Sequence, residues 1–415
     1  MKFFINSYFG DNQSIGLLSH IKKRLPYGMD DQWMVFSHYT ERGWTVDNLW
    51  HIFTDFYGGQ YAPLAFLSYL VLYAGFGYDP FYFHMFSLLL HIGCVCLVWK
   101  LISSLLRVHG GVSEKQILYV NFITTLLFAV HPINVEAVAW ISALKVLLYA
   151  FFYLLGLLCY LRYIRTSKIF YYVLTIGCFL CSFWGKEQAV TFPLALLIVD
   201  WFTNRNMKNL EVWSEKMSFL IMAFFFGIIT VLSQGKGPYE MIFPLYQRLL
   251  FGCFALVEYI TKSLLPVNLN FFYPFPIVLG EEPPLHYYLY PVVLSFLMGW
   301  IIAYRNNRYL VFGVLLFLVN LLFSIHLFNM SRHAIVADRY MYLSYVGIAF
   351  LIANGIWWLR KRLSYFKAAL VFLFFYCFFL SVYTFHYTKK WENTTMVKKY
   401  TKEVLEKRLN GSNHL

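Results

Sequence analysis

Long apolar stretches and short polar connections alternate along almost the whole chain. Runs at residues 80–106, 117–130, 137–161, 169–184, 189–202, 217–233, 287–304, 309–326, 340–359 and 368–386 are continuously apolar. They lack the every-second-residue alternation of a membrane barrel. A helix of roughly 20 apolar residues crosses the hydrocarbon layer. The pattern therefore predicts an all-α, polytopic transmembrane helical bundle of about ten spanning helices. Two further stretches are expected to lie along the interface. Residues 61–77 are short, aromatic and proline-flanked, and residues 246–265 are interrupted by Arg248, Glu258 and Lys262. Three regions follow from the pattern: an N-terminal segment with the first outer loop (1–60), a transmembrane module (61–388) and a short polar helical tail outside (389–415).

The polar connections are of two kinds. Loops at residues 107–116, 162–168, 205–216, 305–308 and 360–362 carry an excess of Lys and Arg. Cytoplasmic loops are held inside by such charges, so these loops define the cytoplasmic side. Counting turns then places Asp30-Asp31, residues 131–136, Lys186-Glu187, residues 234–286 and Asp338-Arg339 together outside. A membrane crossing by residues 246–265 would put every later basic loop on the wrong side, which is why that helix is expected to lie flat.

Composition adds two points. The chain has 415 residues, 60% hydrophobic and 13% charged, with a net charge of +13. The positive-inside bias accounts for that charge, and no nucleic-acid partner is expected. The seven cysteines fall in apolar runs, where Cys178 and Cys181 read as packing residues rather than a metal or redox pair. Residues 1–27 contain no apolar run long enough for a cleavable signal or a spanning helix. The outward crossing that the topology expects before Asp30 is therefore missing from these residues, and a truncated or mis-started first helix is expected.

The outer loops hold the candidate chemistry. Adjacent carboxylates Asp30 and Asp31 suit a general base with a partner that orients a metal or an acceptor hydroxyl; their structural reading is a solvated loop. His131 precedes Pro132, which ends a helix there, and His131 with Glu136 could share a metal or hold a donor phosphate. The alternative is a helix cap with a boundary histidine. Lys186 and Glu187 join two spans, where unpaired charges are costly. Arg339 opens a span after Asp338 and before Tyr340, a place that favours a bound anion. Arg grips phosphate bidentately, and Arg332 and His333 lie a turn or two upstream. The alternative for each is a local ion pair, such as Asp338 with Arg339.

Several strings resemble a known family. HPINVEAVAWISALK (from His131), KEQAVTFPLALLIVD (from Lys186) and ADRYMYLSYVGI (from Ala337) are similar to the transmembrane and tetratricopeptide-repeat O-mannosyltransferases and their bacterial relatives. So is the order Asp30-Asp31, GQYAPLAFLSY (from Gly59), FHMFSLLLHI (from Phe83). The resemblance implies a GT-C glycosyltransferase fold, a polyprenyl-phosphate-linked sugar donor and a site on the non-cytoplasmic face. It implies Asp30 and Asp31 as the catalytic acidic pair and Arg339 as a donor-phosphate contact, with Lys186 or Arg332 assisting. A protein or glycolipid acceptor, a surrounding membrane lipid and a bacterial inner membrane with a periplasmic site complete the expectation. Whether a divalent metal takes part is left open. Two other classes fit the composition: a lipid or solute transporter or flippase, and an inactive binding relative. Spans almost free of acids and the lack of an internal repeat favour the enzyme.

Overall fold

The computed structural model describes residues 31–234, 243–277, 279–327, 334–392 and 396–403. Asp30, Arg332 and His333 lie outside the described residues. Among the described residues the chain is helical throughout and forms no strand, only two isolated bridges, Tyr57 with Gln60 and Tyr273 with Val336. The helices, in chain order, are α1 (Asp31–Met34), α2 (His38–Glu41), α3 (Val46–Thr54), α4 (Pro63–Phe76), α5 (Pro80–His109), α6 (Glu114–Val130), α7 (Val135–Ala139), α8 (Leu144–Thr166), α9 (Ile169–Gly185), α10 (Phe192–Phe202), α11 (Leu210–Gln234), α12 (Leu245–Leu264), α13 (Leu289–Ala303), α14 (Arg308–Leu321), α15 (Met341–Trp358) and α16 (Leu363–Lys389).

Among the described residues six helical segments are long and apolar enough to cross a membrane: Pro80–His109, Ile141–Thr166, Leu210–Ser233, Leu285–Ala303, Asp338–Lys361 and Leu363–Lys389. A seventh arises if Glu114–Val130 and Pro132–Ala139 count as one span bent by 51°. The helices Ile169–Gly185 and Arg308–Leu321 are apolar but shorter. The expected count of about ten is therefore not reached on length and apolarity. The reason is helix length: the runs at 169–184, 189–202 and 309–326 fold as Ile169–Gly185, Phe192–Phe202 and Arg308–Leu321, and the 3-10 turn Glu187–Thr191 takes up the start of the second. Helix α12 is amphipathic and is not among the six.

Helix starts follow ordinary capping chemistry. Asp79 accepts the Phe81 N–H at 3.0 Å with Pro80 at the first position, and Ser113 accepts the Gln116 N–H at 3.2 Å. The main core is built from α5, α6, α8, α9, α10, α14 and α15. A second cluster packs α1–α4 against the start of α8 through Met34, Tyr39, Phe66, Tyr69 and Leu144. A third joins Trp140, Leu269, Tyr387, Trp391 and Val397, so the segment after the last span folds back onto the bundle. Helix α13, by contrast, buries none of its residues, as expected of a helix surrounded by lipid.

Candidate functional site

Pro132 breaks the helical path after α6, and a 3-10 turn and α7 bring the chain back at an angle. His131 stands at that break in extended geometry, and its Nδ1 accepts the Ile133 N–H at 3.2 Å. Its ring packs 4.2 Å from that of Tyr345. His131 thus realises the capping alternative. Among the described residues no three His, Cys, Asp or Glu side chains are grouped so that they could hold a metal ion.

Glu136 lies on α7, fully buried. Its carboxylate takes the Arg339 backbone N–H at 2.6 Å through Oε2 and the Arg339 Nη1 at 2.5 Å through Oε1. A carboxylate at a helix start satisfies an orphan N–H and complements the helix dipole. Glu136 therefore mounts the guanidinium and caps the 3-10 turn Asp338–Tyr340 that leads into α15. The local pair expected between Asp338 and Arg339 does not form. Asp338 is buried and accepts the Tyr273 hydroxyl, 3.0 Å from each carboxylate oxygen. Burial, with the Asp338 charge, pushes the Tyr273 phenol well above its ordinary value, so it stays protonated and donates. Lys262 of α12 sits 4.5 Å over the Tyr273 ring and pairs with Glu258 at 3.4 Å, and Tyr259 accepts the Ala337 N–H. Helix α12 thereby supports the Asp338 turn from below.

Two aromatic rings carry the Arg339 guanidinium. Its central carbon lies 5.3 Å from the Trp140 centroid and 5.2 Å from the Tyr340 centroid. The Lys186 ammonium lies 4.7 Å from the same Tyr340 ring. Lys186 is buried at the end of α9, and Glu187, its neighbour, is half-buried. Two cations thus meet at one ring, Lys186 and the Glu136-paired Arg339, and both are residue types that bind phosphate.

Asp31, at the start of α1, is buried beside the same patch. Its carboxylate accepts the Trp140 indole N–H at 3.2 Å, the Ser142 backbone N–H at 3.0 Å and the Ser142 hydroxyl. Lys145, one turn on, reaches the Gln60 amide oxygen and lies 3.7 Å from the Met34 sulfur. The first loop is therefore docked on the 3-10 turn Ile141–Ala143 at both ends of α1.

Of the residues expected from the sequence, the structure brings together Asp31, Glu136, Lys186, Arg339 and Tyr340. It sets Asp338 and His131 in supporting roles. Trp140, Ser142, Lys145 and Tyr273 were not expected. Spacing offers one signal: Trp140 follows Glu136 by four residues.

The opposite end of the bundle holds a different cluster. Asp200, Glu215, Arg205, Lys216 and the Tyr160 hydroxyl form one connected network. The Glu215 carboxylate raises the Arg205 guanidinium further above its ordinary value. Two cations and two carboxylates balance there, so the network is closed on itself and needs no ligand.

Comparison with known proteins gives the same resemblance that the strings carry. The chain is 32% identical over 189 residues to protein O-mannosyl-transferase TMTC2 of Mus musculus, covering 41% of this chain and 21% of that protein. It is 30% identical over 203 residues to the tmtc2 protein of Xenopus laevis (45% and 23%) and 28% identical over 172 residues to Tmtc3 of Drosophila melanogaster (37% and 18%), both also protein O-mannosyl-transferases. The chain spans about a fifth of the length of these curated relatives. No family model matches the chain, and no solved structure matches it.

Proposed function

We propose that this chain forms a GT-C-type membrane glycosyltransferase site that moves a sugar, mannose by its relatives' names, from a polyprenyl phosphate to a hydroxyl acceptor. The observation that carries the reading is the convergence of Asp31, Glu136, Arg339, Tyr340 and Lys186 from four separated segments at one end of an apolar helical bundle. A phosphomonoester leaving group carries its charge on oxygen, and preorganised cations in a dry site stabilise it as it departs.

In the proposed reaction an acceptor oxygen attacks the anomeric carbon, the bond from that carbon to the phosphate oxygen breaks, and the acceptor proton passes to a carboxylate. A single displacement of this kind inverts the anomeric centre. Asp31 already accepts three hydrogen bonds, which fasten it to Trp140 and Ser142. Its proposed part is to dock the first loop, and the proton falls to Asp30. Arg339 and Lys186 receive the phosphate, and Arg332 is retained as an assisting cation. The proposed location is the non-cytoplasmic face, periplasmic in a bacterial inner membrane, because the lysine- and arginine-rich loops lie at the other end. A protein or a glycolipid supplies the hydroxyl.

The test uses the purified chain in sealed proteoliposomes with radiolabelled mannosyl-phosphoryl polyprenol and serine- or threonine-containing peptide acceptors, with glycolipid acceptors in parallel. Label should appear covalently on acceptor, and Asp30→Asn and Arg339→Met should abolish it. Label crossing the membrane without any covalent product would overturn the proposal in favour of transport.

A further inference from the structure

We infer that Trp140 is a positioning residue that holds the Arg339 guanidinium in the orientation needed to meet the donor phosphate and ties that orientation to the docked first loop. The inference rests on the glycosyltransferase reading above.

Trp140 occupies a break in the backbone. It adopts extended geometry (φ −85°, ψ 116°) between α7 and the 3-10 turn Ile141–Ala143. The break turns the Ser142 N–H toward Asp31 while the Trp140 indole N–H reaches the other oxygen of the same carboxylate. The ring itself lies under Arg339. One side chain therefore contacts both the acidic first loop and the cationic turn that begins α15.

Its other contacts fix the ring in place. Phe271 meets it edge-on at 5.2 Å and 89°, and Trp391, beyond the last span, lies 6.3 Å away. Trp140 is almost fully buried. The guanidinium then has a carboxylate at one edge (Glu136) and aromatic rings from Trp140 and Tyr340 against it. A planar cation restrained in this way has little rotational freedom left to lose when it grips a phosphate, which is where pre-organisation contributes to affinity and rate. Indole is the strongest of the aromatic cation partners. Any buried indole N–H needs an acceptor, and here that acceptor is the carboxylate of the first loop, while the same ring lies beneath Arg339.

Three variants separate these contributions. Trp140→Phe keeps an aromatic face and removes the indole N–H. Trp140→Leu removes both. Trp140→Met keeps bulk without a ring, and replaces the leucine variant should that one fail to fold. Each is read in nanodiscs by binding of unlabelled polyprenyl monophosphate and by kcat and donor KM for sugar transfer. The ring-less variants should lose about 10-fold in kcat/KM and bind the monophosphate correspondingly more weakly, while Trp140→Phe recovers most of both. Equal kcat, KM and monophosphate affinity in Trp140→Met, Trp140→Phe and the wild type would overturn the inference and leave the functional reading standing. A wild-type chain that neither binds the monophosphate nor transfers sugar overturns the functional reading itself.

Discussion

The Glu136–Arg339 pair makes a quantitative test of the site's construction. Glu136 has no exposed side-chain surface and Arg339 retains 20%. Replacing Arg339 by Met strands a carboxylate in a site without water, and losing one member of a buried pair costs about 3–5 kcal/mol. The partial exposure of Arg339 places the expected loss near the lower end, about 3 kcal/mol. The double variant Glu136→Gln/Arg339→Met strands no charge, and the new amide oxygen can still accept the backbone N–H of position 339. Its expected loss is about 1 kcal/mol. For a chain of this size about 2 °C of unfolding midpoint accompanies each kcal/mol. The single variant should therefore melt about 6 °C below wild type and the double only about 2 °C below. Thermal unfolding in detergent at one fixed scan rate measures both. Sugar transfer should be lost in both, because the guanidinium is gone in both. A double variant that melts no higher than the single one would refute the idea that Glu136 is stranded by the loss of Arg339.

Other outcomes follow from the same geometry. Lys216→Met leaves Arg205 as the one cation of the network for both Asp200 and Glu215 and should destabilise the chain by about 3 kcal/mol, with Asp200→Asn/Lys216→Met recovering much of it; transfer per folded molecule should stay at the wild-type level, checked by activity normalised to the monodisperse fraction. Tyr273→Phe removes the hydroxyl from the buried Asp338 carboxylate and should cost about 1–3 kcal/mol, read by the same melting assay. Gly347→Val should cost about 1–3 kcal/mol or more, since even a Cβ would stand 2.5 Å from the Gly313 carbonyl oxygen; a wild-type midpoint would contradict that close approach.

Much of this organisation is legible in the sequence, and the illegible part has physical causes. Alternation of charge between loops sorts Asp31, Glu136, Lys186 and Arg339 onto one end, because loop charge responds to the membrane rather than to packing. Pairing within that end is not readable. Asp338 and Arg339 are neighbours in sequence, yet the 3-10 turn directs the Arg339 N–H to Glu136, 203 residues away, and leaves Asp338 to Tyr273. Trp140 looks like an ordinary aromatic of an apolar run and Tyr273 like one of an outer loop, since nothing in a single sequence distinguishes a ring beneath a guanidinium from a ring in the core. Asp200 lies in the last turn of α10 and is part of a buried network with Tyr160, whose place in α8 gives no hint of it. The number of spans is also hard to read, because hydropathy shows where apolar residues run but not how much of a run, as at 189–202, is helix.

The close contact between α14 and α15 has a mechanical consequence. Gly313 and Gly347 meet backbone to backbone, and an added Cβ at Gly347 would also lie 2.7 Å from the Phe317 nitrogen. Near the far end of that pair Arg308 grips the Trp201 carbonyl at 2.5 Å. With their backbones this close at the glycine crossing and Phe312 packed on Phe350 beside it, the two helices behave as a single stiff beam whose tip bears the guanidinium. Fitting around a substrate must then come from the lighter pieces clamped to that tip, the strip holding Tyr273 and the stretch bearing Trp391. Amide exchange should run slowest along the beam and quicken sharply in those two pieces.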